Sequence, residues 1–335
     1  FFKSSSRIYA GSIMKLDNIS SGSIGMSHKV IRDHFERAAP NYDQFALLQR
    51  EVAERMFASF AYTNISPEKI LDIGAGTGYC TRWLQDAFKE SMVVGLDLSH
   101  NMLCEAKKKE QELTQQPSHN IGLVDKVSKL FSKSISENTS LLCADTEQLP
   151  LANDSMDLIF SNFTLQWCSD LPNIFKDFMR VMRPGSLLTF STLGTDTLKE
   201  LRQSWQEVDS NPHVNDFLDM HDIGDMLLNA GFSEPVTSVD RFEISYPSVM
   251  DLMRDLKGLG ATNAAPNRLR GLMGKSSIYK LEQAYRGIAE RDGKIVATWE
   301  VVYGHAWAPQ AAELRPNLMG IPIGYTTTTR DPSHR

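Results

Sequence analysis

Cysteine is scarce in this chain: four in 335 residues, at positions 80, 104, 143 and 168, with no CxxC spacing among them. That scarcity excludes a zinc ribbon, a thioredoxin-like redox pair and a disulfide framework, and it predicts reduced, buried thiols in a cytoplasmic protein. Long apolar runs are missing as well. None approaches the roughly 18 residues of a membrane-spanning helix, so the chain does not read as an integral membrane protein. An excess of positive charge is also absent: the net charge of −6 argues against a nucleic-acid binder, and any basic docking surface has to be local. No Gly-Lys-Ser/Thr follows a glycine loop, which removes the phosphate-binding P-loop. No catalytic dyad and no metal-ligating cluster stands out. What is present is apolar material, 41% of residues, enough for one large or two small cores.

The most informative stretch is Ile70-Leu-Asp-Ile-Gly-Ala-Gly-Thr-Gly78, an apolar run broken by three alternating glycines. A buried strand that turns abruptly into a helix around a ligand has this form, because glycine supplies closed backbone angles and lets N–H groups approach the ligand. The spacing is GxGxG, whereas the dinucleotide fingerprint GxGxxG would want a glycine at Tyr79. Around it, strands and helices alternate. Strands are expected at Lys69 to Ile73, Met92 to Leu96, Leu141 to Ala144, Met156 to Phe160 and Leu187 to Thr192. Helices are expected at Tyr79 to Phe88, Asn101 to about Glu112, and from Leu171, where Ile174, Phe175, Phe178, Met179 and Met182 share one face until Arg183-Pro-Gly185 stops it. This alternation implies a parallel sheet with right-handed crossovers. Residues 27 to 60 read as an N-terminal helical cap, and 111–139 as a surface insertion. Further helices are expected near Thr197 to Val208 and Ile223 to Ala230, and strands at Val236 to Ile244 and Trp299 to Trp307. Residues 1–26, basic and serine-rich, read as a leader or disordered segment, and 310–335 as a disordered tail.

Ligands of open parallel sheets bind at the carboxyl ends of the strands, so acids there are site candidates. Asp97 ends the second strand and can accept both hydroxyls of a ribose; a helix N-cap is the competing role. Asp145 ends the third and can accept from an adenine amino group, or simply serve a turn. Asp72 lies in the first strand, just before the glycines. Together Asp72-x-Gly-x-Gly-x-Gly78, Asp97, Ala144-Asp145, Asp157-Leu-Ile-Phe-Ser-Asn162 and Arg183-Pro-Gly185 resemble the class I S-adenosylmethionine-dependent methyltransferases. The resemblance implies a Rossmann-like α/β fold with a seven-stranded, mostly parallel sheet, one strand reversed, and inserted helical segments over the active site within 194–290. It also implies S-adenosyl-L-methionine held by Asp72, Gly74, Ala75, Gly76, Gly78, Asp97, Leu98, Asp145, Thr146 and Asn162.

The flanking sequences narrow the resemblance. His34-Phe-Glu-Arg-Ala-Ala-Pro-Asn-Tyr-Asp43, Ser161-Asn-Phe-Thr-Leu-Gln-Trp167, Thr192-Leu-Gly-Thr-Asp-Thr-Leu-Lys-Glu-Leu201, Leu256-Lys-Gly-Leu-Gly-Ala-Thr-Asn263 and Glu300-Val-Val-Tyr-Gly-His-Ala-Trp307 are similar to the malonyl-acyl-carrier-protein O-methyltransferases of bacterial biotin synthesis. That likeness runs from about Val30 to Pro309 and implies methyl transfer to the free carboxylate of a malonyl thioester on acyl carrier protein, or on coenzyme A. A carboxylate is ionised at neutral pH and needs no general base. Placement and partial desolvation are what remain for the protein to supply. Positioning candidates are Tyr42, Asn162 and Trp167; candidates for holding the malonyl group are Tyr42, Lys257, Asn263, Tyr303 and His305. No acid stands between Asp255 and Glu282, so Arg268, Arg270 and Lys275, with Lys257 and Lys280, form a candidate docking face for an acidic carrier. Other readings stay open at this level: an assembly factor that modifies a respiratory-complex arginine, a quinone-pathway C-methyltransferase, a non-catalytic binding protein, or an NAD-dependent oxidoreductase.

Overall fold

The computed structural model describes residues 27–115, 138–263 and 274–310. Eight strands form one sheet: β1 (Lys69–Ile73), β2 (Met92–Asp97), β3 (Thr139–Cys143), β4 (Met156–Asn162), β5 (Met182–Leu193), β6 (Ser233–Tyr246), β7 (Glu290–Arg291) and β8 (Lys294–Trp307). Their spatial order is β3-β2-β1-β4-β5-β8-β6, with the two-residue β7 pairing only with the start of β8. The strands from β3 to β5 are mutually parallel, and β8 runs antiparallel to both β5 and β6. The expected seven strands with one reversed are therefore present, and the β7–β8 hairpin is an addition. Chain order runs outward from β1 in both directions, which opens a crevice at the carboxyl ends of β1 and β4.

Ten helices are described: α1 (His28–Ala38), α2 (Tyr42–Phe45), α3 (Leu47–Ser59), α4 (Tyr79–Ala87), α5 (His100–Gln115), α6 (Leu171–Val181), α7 (Lys199–Gln206), α8 (Met220–Asn229), α9 (Val249–Gly258) and α10 (Lys275–Ala289). The amphipathic face anticipated for α6 is real: Leu171, Ile174, Phe175 and Phe178 are buried, and Asp170 caps the helix by accepting from the Asn173 N–H. With α8 it covers one face of the sheet. α3, α4, α7, α9 and α10 cover the other through residues such as Val52, Phe57, Leu84, Trp205, Leu252 and Tyr285.

Two expectations need correction. Arg183-Pro-Gly185 does not separate helix from strand; it lies inside β5 as an irregularity, where the register with β4 shifts between Met156 and Leu158. Gly185 takes φ +80° there, and the Ser186 hydroxyl donates to Met156 O. Asp157 accepts from the Lys69 N–H at 2.8 Å and pairs with Arg183 at 3.0 Å, so this acid and the Arg-Pro-Gly signature brace the amino end of the strands, away from the crevice. The thiols are not uniformly buried either: Cys80 is, but Cys104 and Cys143 are exposed. The helices α9 and α10 fall within 194–290, where the resemblance implies inserted helical segments.

Candidate functional site

The first link is the turn after β1. Gly74, Gly76 and Gly78 all take positive φ, +73°, +53° and +78°. The turn is held to β2 by Gly74 and Ala75 N–H groups donating to Leu96 O. A Cβ on Gly74 would stand 1.8 Å from the Thr164 hydroxyl oxygen, which itself donates to Ile73 O. On Gly76 a Cβ would meet no atom of a described residue closer than 3.9 Å, because it would project into a cleft. Gly78 is the left-handed N-cap of α4.

That cleft is lined by Gly74 and Gly76, by Asp97, Leu98, Asp145, Thr146 and Glu147 beyond β2 and β3, by Asn162 to Thr164 and Trp167 beyond β4, and by Ile31, Phe35 and Tyr42 from the N-terminal helices. About 710 Å³ of space lies between its walls, open solvent at the mouth included. Asp97 stands at its head: one carboxylate oxygen accepts from the Gly76 N–H and the other from the Ser99 N–H, each at 2.8 Å. Burial pushes its carboxyl up to about 6 against those two donors. It is not the cap of α5. Ser99 fills that place through Met102 N, together with Glu36 of α1, which accepts from His100 and Asn101 N–H groups. Glu36 thereby docks the N-terminal helix over the cleft.

Asp145 accepts from the Glu147 N–H and bonds His28 Nδ1 at 2.6 Å. His28 Nε2 lies 3.2 Å from Glu147. Burial would lower the His28 pKa, but the Asp145 and Glu147 carboxylates outweigh it and the net shift is upward. Asp72 is buried beneath the turn and does not line the cleft; its carboxylate accepts from Thr81 Oγ1 at 2.5 Å, and burial pushes it up to about 7. Its part is to brace the turn against α4. Ala75 and Gly78 likewise shape the turn without lining the cleft.

Tyr42 lines the cleft, and its phenol is pushed well above its ordinary range by burial and then by the Asp97 charge. It stays a neutral O–H donor. Beside it Asp43 ties α2 to the turn and α5 through the Thr77 hydroxyl, at 2.6 Å, and Lys109. Asn162 lines the cleft with both ends of its amide engaged: Nδ2 donates to Gln49 O, and Oδ1 accepts from Ser191. Trp167 meets Phe35 edge-on at 5.4 Å, and both rings line the cleft.

The remaining candidates are not brought together here. Lys257 lines a second cleft behind α1 and α2. Asn263 donates to Pro212 O. Tyr303 and His305 occupy β8 at positions paired with Ser191 and Thr189, and neither lines a described cleft. Lys275 is exposed at the start of α10, while Arg268 and Arg270 lie outside the described residues. Sequence reasoning missed His28, Phe35, Glu147 and Thr164. Phe35 and Thr164 lay within quoted motifs; His28 had no signal beyond its place at a helix start.

Residues 71–190 match the family model described as a methyltransferase domain. Over 287 residues the chain is 44% identical to the malonyl-[acyl-carrier protein] O-methyltransferase of Methylovorus sp., covering 86% of this chain and 91% of that one. The chain belongs to the malonyl-[acyl-carrier protein] O-methyltransferase family. Members from Laribacter hongkongensis and Halorhodospira halophila are 44% and 38% identical over 85% and 88% of this chain, and 91% and 96% of theirs. The fold of this methyltransferase is shared with the YcgJ protein from Bacillus subtilis, with TM-score 0.53 at 14% identity over 78% of this chain and 99% of that one. The cofactor of the family is S-adenosylmethionine, and the cleft fits it on its own evidence. A missing Cβ at Gly76 leaves the backbone open to a ligand, and carboxylates at the ends of β2 and β3 face the same space.

Proposed function

We propose that this protein methylates the free carboxylate of a malonyl thioester on acyl carrier protein, with S-adenosylmethionine as donor, giving the methyl ester that primes pimeloyl and biotin synthesis. The observation that carries the reading is the division of charge in the first cleft. Asp97, Asp145, Glu147 and His28 come from the β2–β3 side and α1, whereas Asn162, Phe163, Thr164 and Trp167 at and after the end of β4, with Tyr42, present no ionised group. The bound cofactor supplies a methyl on a cationic sulfur that leaves as a neutral thioether. An acceptor that is already an anion needs no proton removed, so an uncharged, partly desolvated end suffices.

Asp97 is assigned to the ribose hydroxyls and Asp145, with Thr146, to the adenine edge. Tyr42 is assigned to the acyl group, with its neutral hydroxyl as donor. Trp167 and Phe35 shape the wall and exclude water. Asn162 acts at one remove, holding α3 to β4 and β5 so that Tyr42 keeps its place. The carrier is preferred to coenzyme A as the thioester's bearer, and the free thiols of Cys80, Cys104, Cys143 and Cys168 suit the reducing cytoplasm, where we place the reaction.

The test is incubation with labelled S-adenosylmethionine and malonyl-carrier, followed by mass spectrometry of the acyl group. A gain of one methyl on the malonyl carboxylate is expected. An unchanged malonyl group, under conditions where S-adenosylhomocysteine binds, would refute the assignment.

A further inference from the structure

The second cleft lies on the far side of the α1–α2 segment. Phe35 and Tyr42 line the first cleft; His34, Arg37, Asn41 and Phe45 from the same segment line the second, closed on the other side by Arg254, Lys257, Gly258, Gly260 and Thr262 from α9 and the turn after it. The two walls meet closely. A Cβ on Gly258 would stand 2.4 Å from the Phe45 ring, and one on Gly260 3.1 Å from Phe35.

Among the described residues the lining contains no carboxylate, in a chain whose net charge is −6. Arg254 is paired with Asp251 at 2.5 Å and counts for little. The Arg37 Nε donates to Asp33 O, and neither Arg37 nor Lys257, both exposed, forms an ion pair with a described residue. Arg37 and Lys257 stand in the last turns of α1 and α9, and each helix end carries only about half a unit of negative charge. Two full positive charges exceed that sum, so the cleft remains cationic. Asn41 and the His34–Thr262 pair, 2.7 Å apart, add polar groups around it.

We infer that this cleft is an anion subsite for the phosphodiester that joins a pantetheine arm to its carrier. The inference rests on the malonyl-carrier reading above. A helix is about 10 Å across, and an extended pantetheine arm is longer than that. A phosphodiester held by Arg37 and Lys257 thus leaves enough arm to pass the α1–α2 segment and bring a thioester to Tyr42. A guanidinium presents planar paired donors to phosphate oxygens, and an ammonium adds a point charge. This accounts for a cationic cleft adjoining, but separate from, the cofactor cleft.

The experiment compares malonyl-phosphopantetheine, malonyl-pantetheine without the phosphate, and malonyl-carrier on the wild type, Lys257→Ala, Arg37→Ala and Lys257→Arg. KM for malonyl-phosphopantetheine and malonyl-carrier should rise tenfold or more in each alanine variant with kcat kept, while KM for malonyl-pantetheine stays within twofold; Lys257→Arg should recover most of the loss. Calorimetry with unacylated phosphopantetheine and pantetheine should show the same preference for phosphate in the wild type, lost in the variants. Equal effects on all three substrates, or none, overturn the subsite. Weakening with malonyl-carrier alone shows that the cleft meets the carrier's acidic surface and overturns it too. If the wild type methylates none of the three while binding S-adenosylhomocysteine, the acceptor reading fails and takes the subsite with it. Methylation without phosphate preference removes the subsite and leaves that reading standing.

Discussion

Replacing Gly76 with alanine separates the two demands made on the turn after β1. At φ +53° an alanine costs about 1 to 2 kcal/mol in the left-handed region, and its Cβ meets no described residue nearer than 3.9 Å. The fold should tolerate this. A loss of about 1 kcal/mol lowers the melting temperature of a large domain by roughly 2–4 °C, so the variant should melt a few degrees early. The Cβ nevertheless projects into the cleft. Forcing an extra methyl into a close contact costs typically about 1 to 3 kcal/mol, which predicts affinity for S-adenosylhomocysteine roughly tenfold to a hundredfold lower by calorimetry. Gly74→Ala makes the contrast, since its Cβ would fall 1.8 Å from Thr164 Oγ1 and 2.8 Å from Thr164 Cβ. It should lose stability well beyond the backbone cost, and Thr164→Gly in the same chain should restore part of it. Undiminished S-adenosylhomocysteine affinity in a folded Gly76→Ala variant would refute the placement of the ligand against this backbone.

Asp97→Asn removes a carboxylate whose hydrogen bonds to a ligand are worth about 1.5 to 3 kcal/mol, so S-adenosylhomocysteine affinity should fall roughly tenfold to a hundredfold; a change below twofold in calorimetry would exclude Asp97 from the ribose. Glu36→Ala removes the carboxylate that α1 lends to the α5 N-terminus; a loss of about 0.5 to 2 kcal/mol in urea melts is expected, and none would show that α1 does not dock there. Burial raises the Asp72 carboxyl to about 7, so the folded protein holds a proton that the unfolded chain releases near pH 4. That stability is full below the unfolded value and is lost as pH rises towards 7, at up to about 1.4 kcal/mol per pH unit. Asp72→Asn should flatten the slope between pH 5 and 7, with part remaining from Asp97, whose carboxyl burial lifts to about 6; identical slopes would remove Asp72 as the source.

The cofactor half was legible because each requirement there leaves a local mark. Glycine is demanded by positive φ and a bare Cβ position, and an acid at a strand end follows from where a parallel sheet puts its crevice. Gly74, Gly76, Asp97 and Asp145 could be placed on that logic, Leu98 and Thr146 only through the resemblance, and all six line the cleft. Asp72, Ala75 and Gly78 belong to the same motif but shape the turn from behind. The signature gives no sign of which of its members face the ligand. Asp157 and Arg183-Pro-Gly185 show the same limit: they brace the opposite end of the strands.

The acceptor side is built from residues distant in sequence, and their facing is decided by packing rather than by period. Tyr303 and His305 alternate along β8, paired with Ser191 and Thr189, yet Tyr303 packs against the core and His305 is exposed, and neither lines the cleft. Lys257 sits one residue before Gly258, whose bare Cβ position lets α9 close on Phe45, and it lines the second cleft rather than the first. His34 and Phe35, and likewise Asn41 and Tyr42, are neighbours in sequence but line opposite clefts. The α1–α2 segment is therefore a shared wall, so a substitution at Phe45 or Gly258 that shifts it must be felt by Tyr42 and Phe35 in the first cleft. A helical period shows that such a segment has two faces; only the contacts of α9 on one side and the glycine turn on the other show that each face lines a cleft.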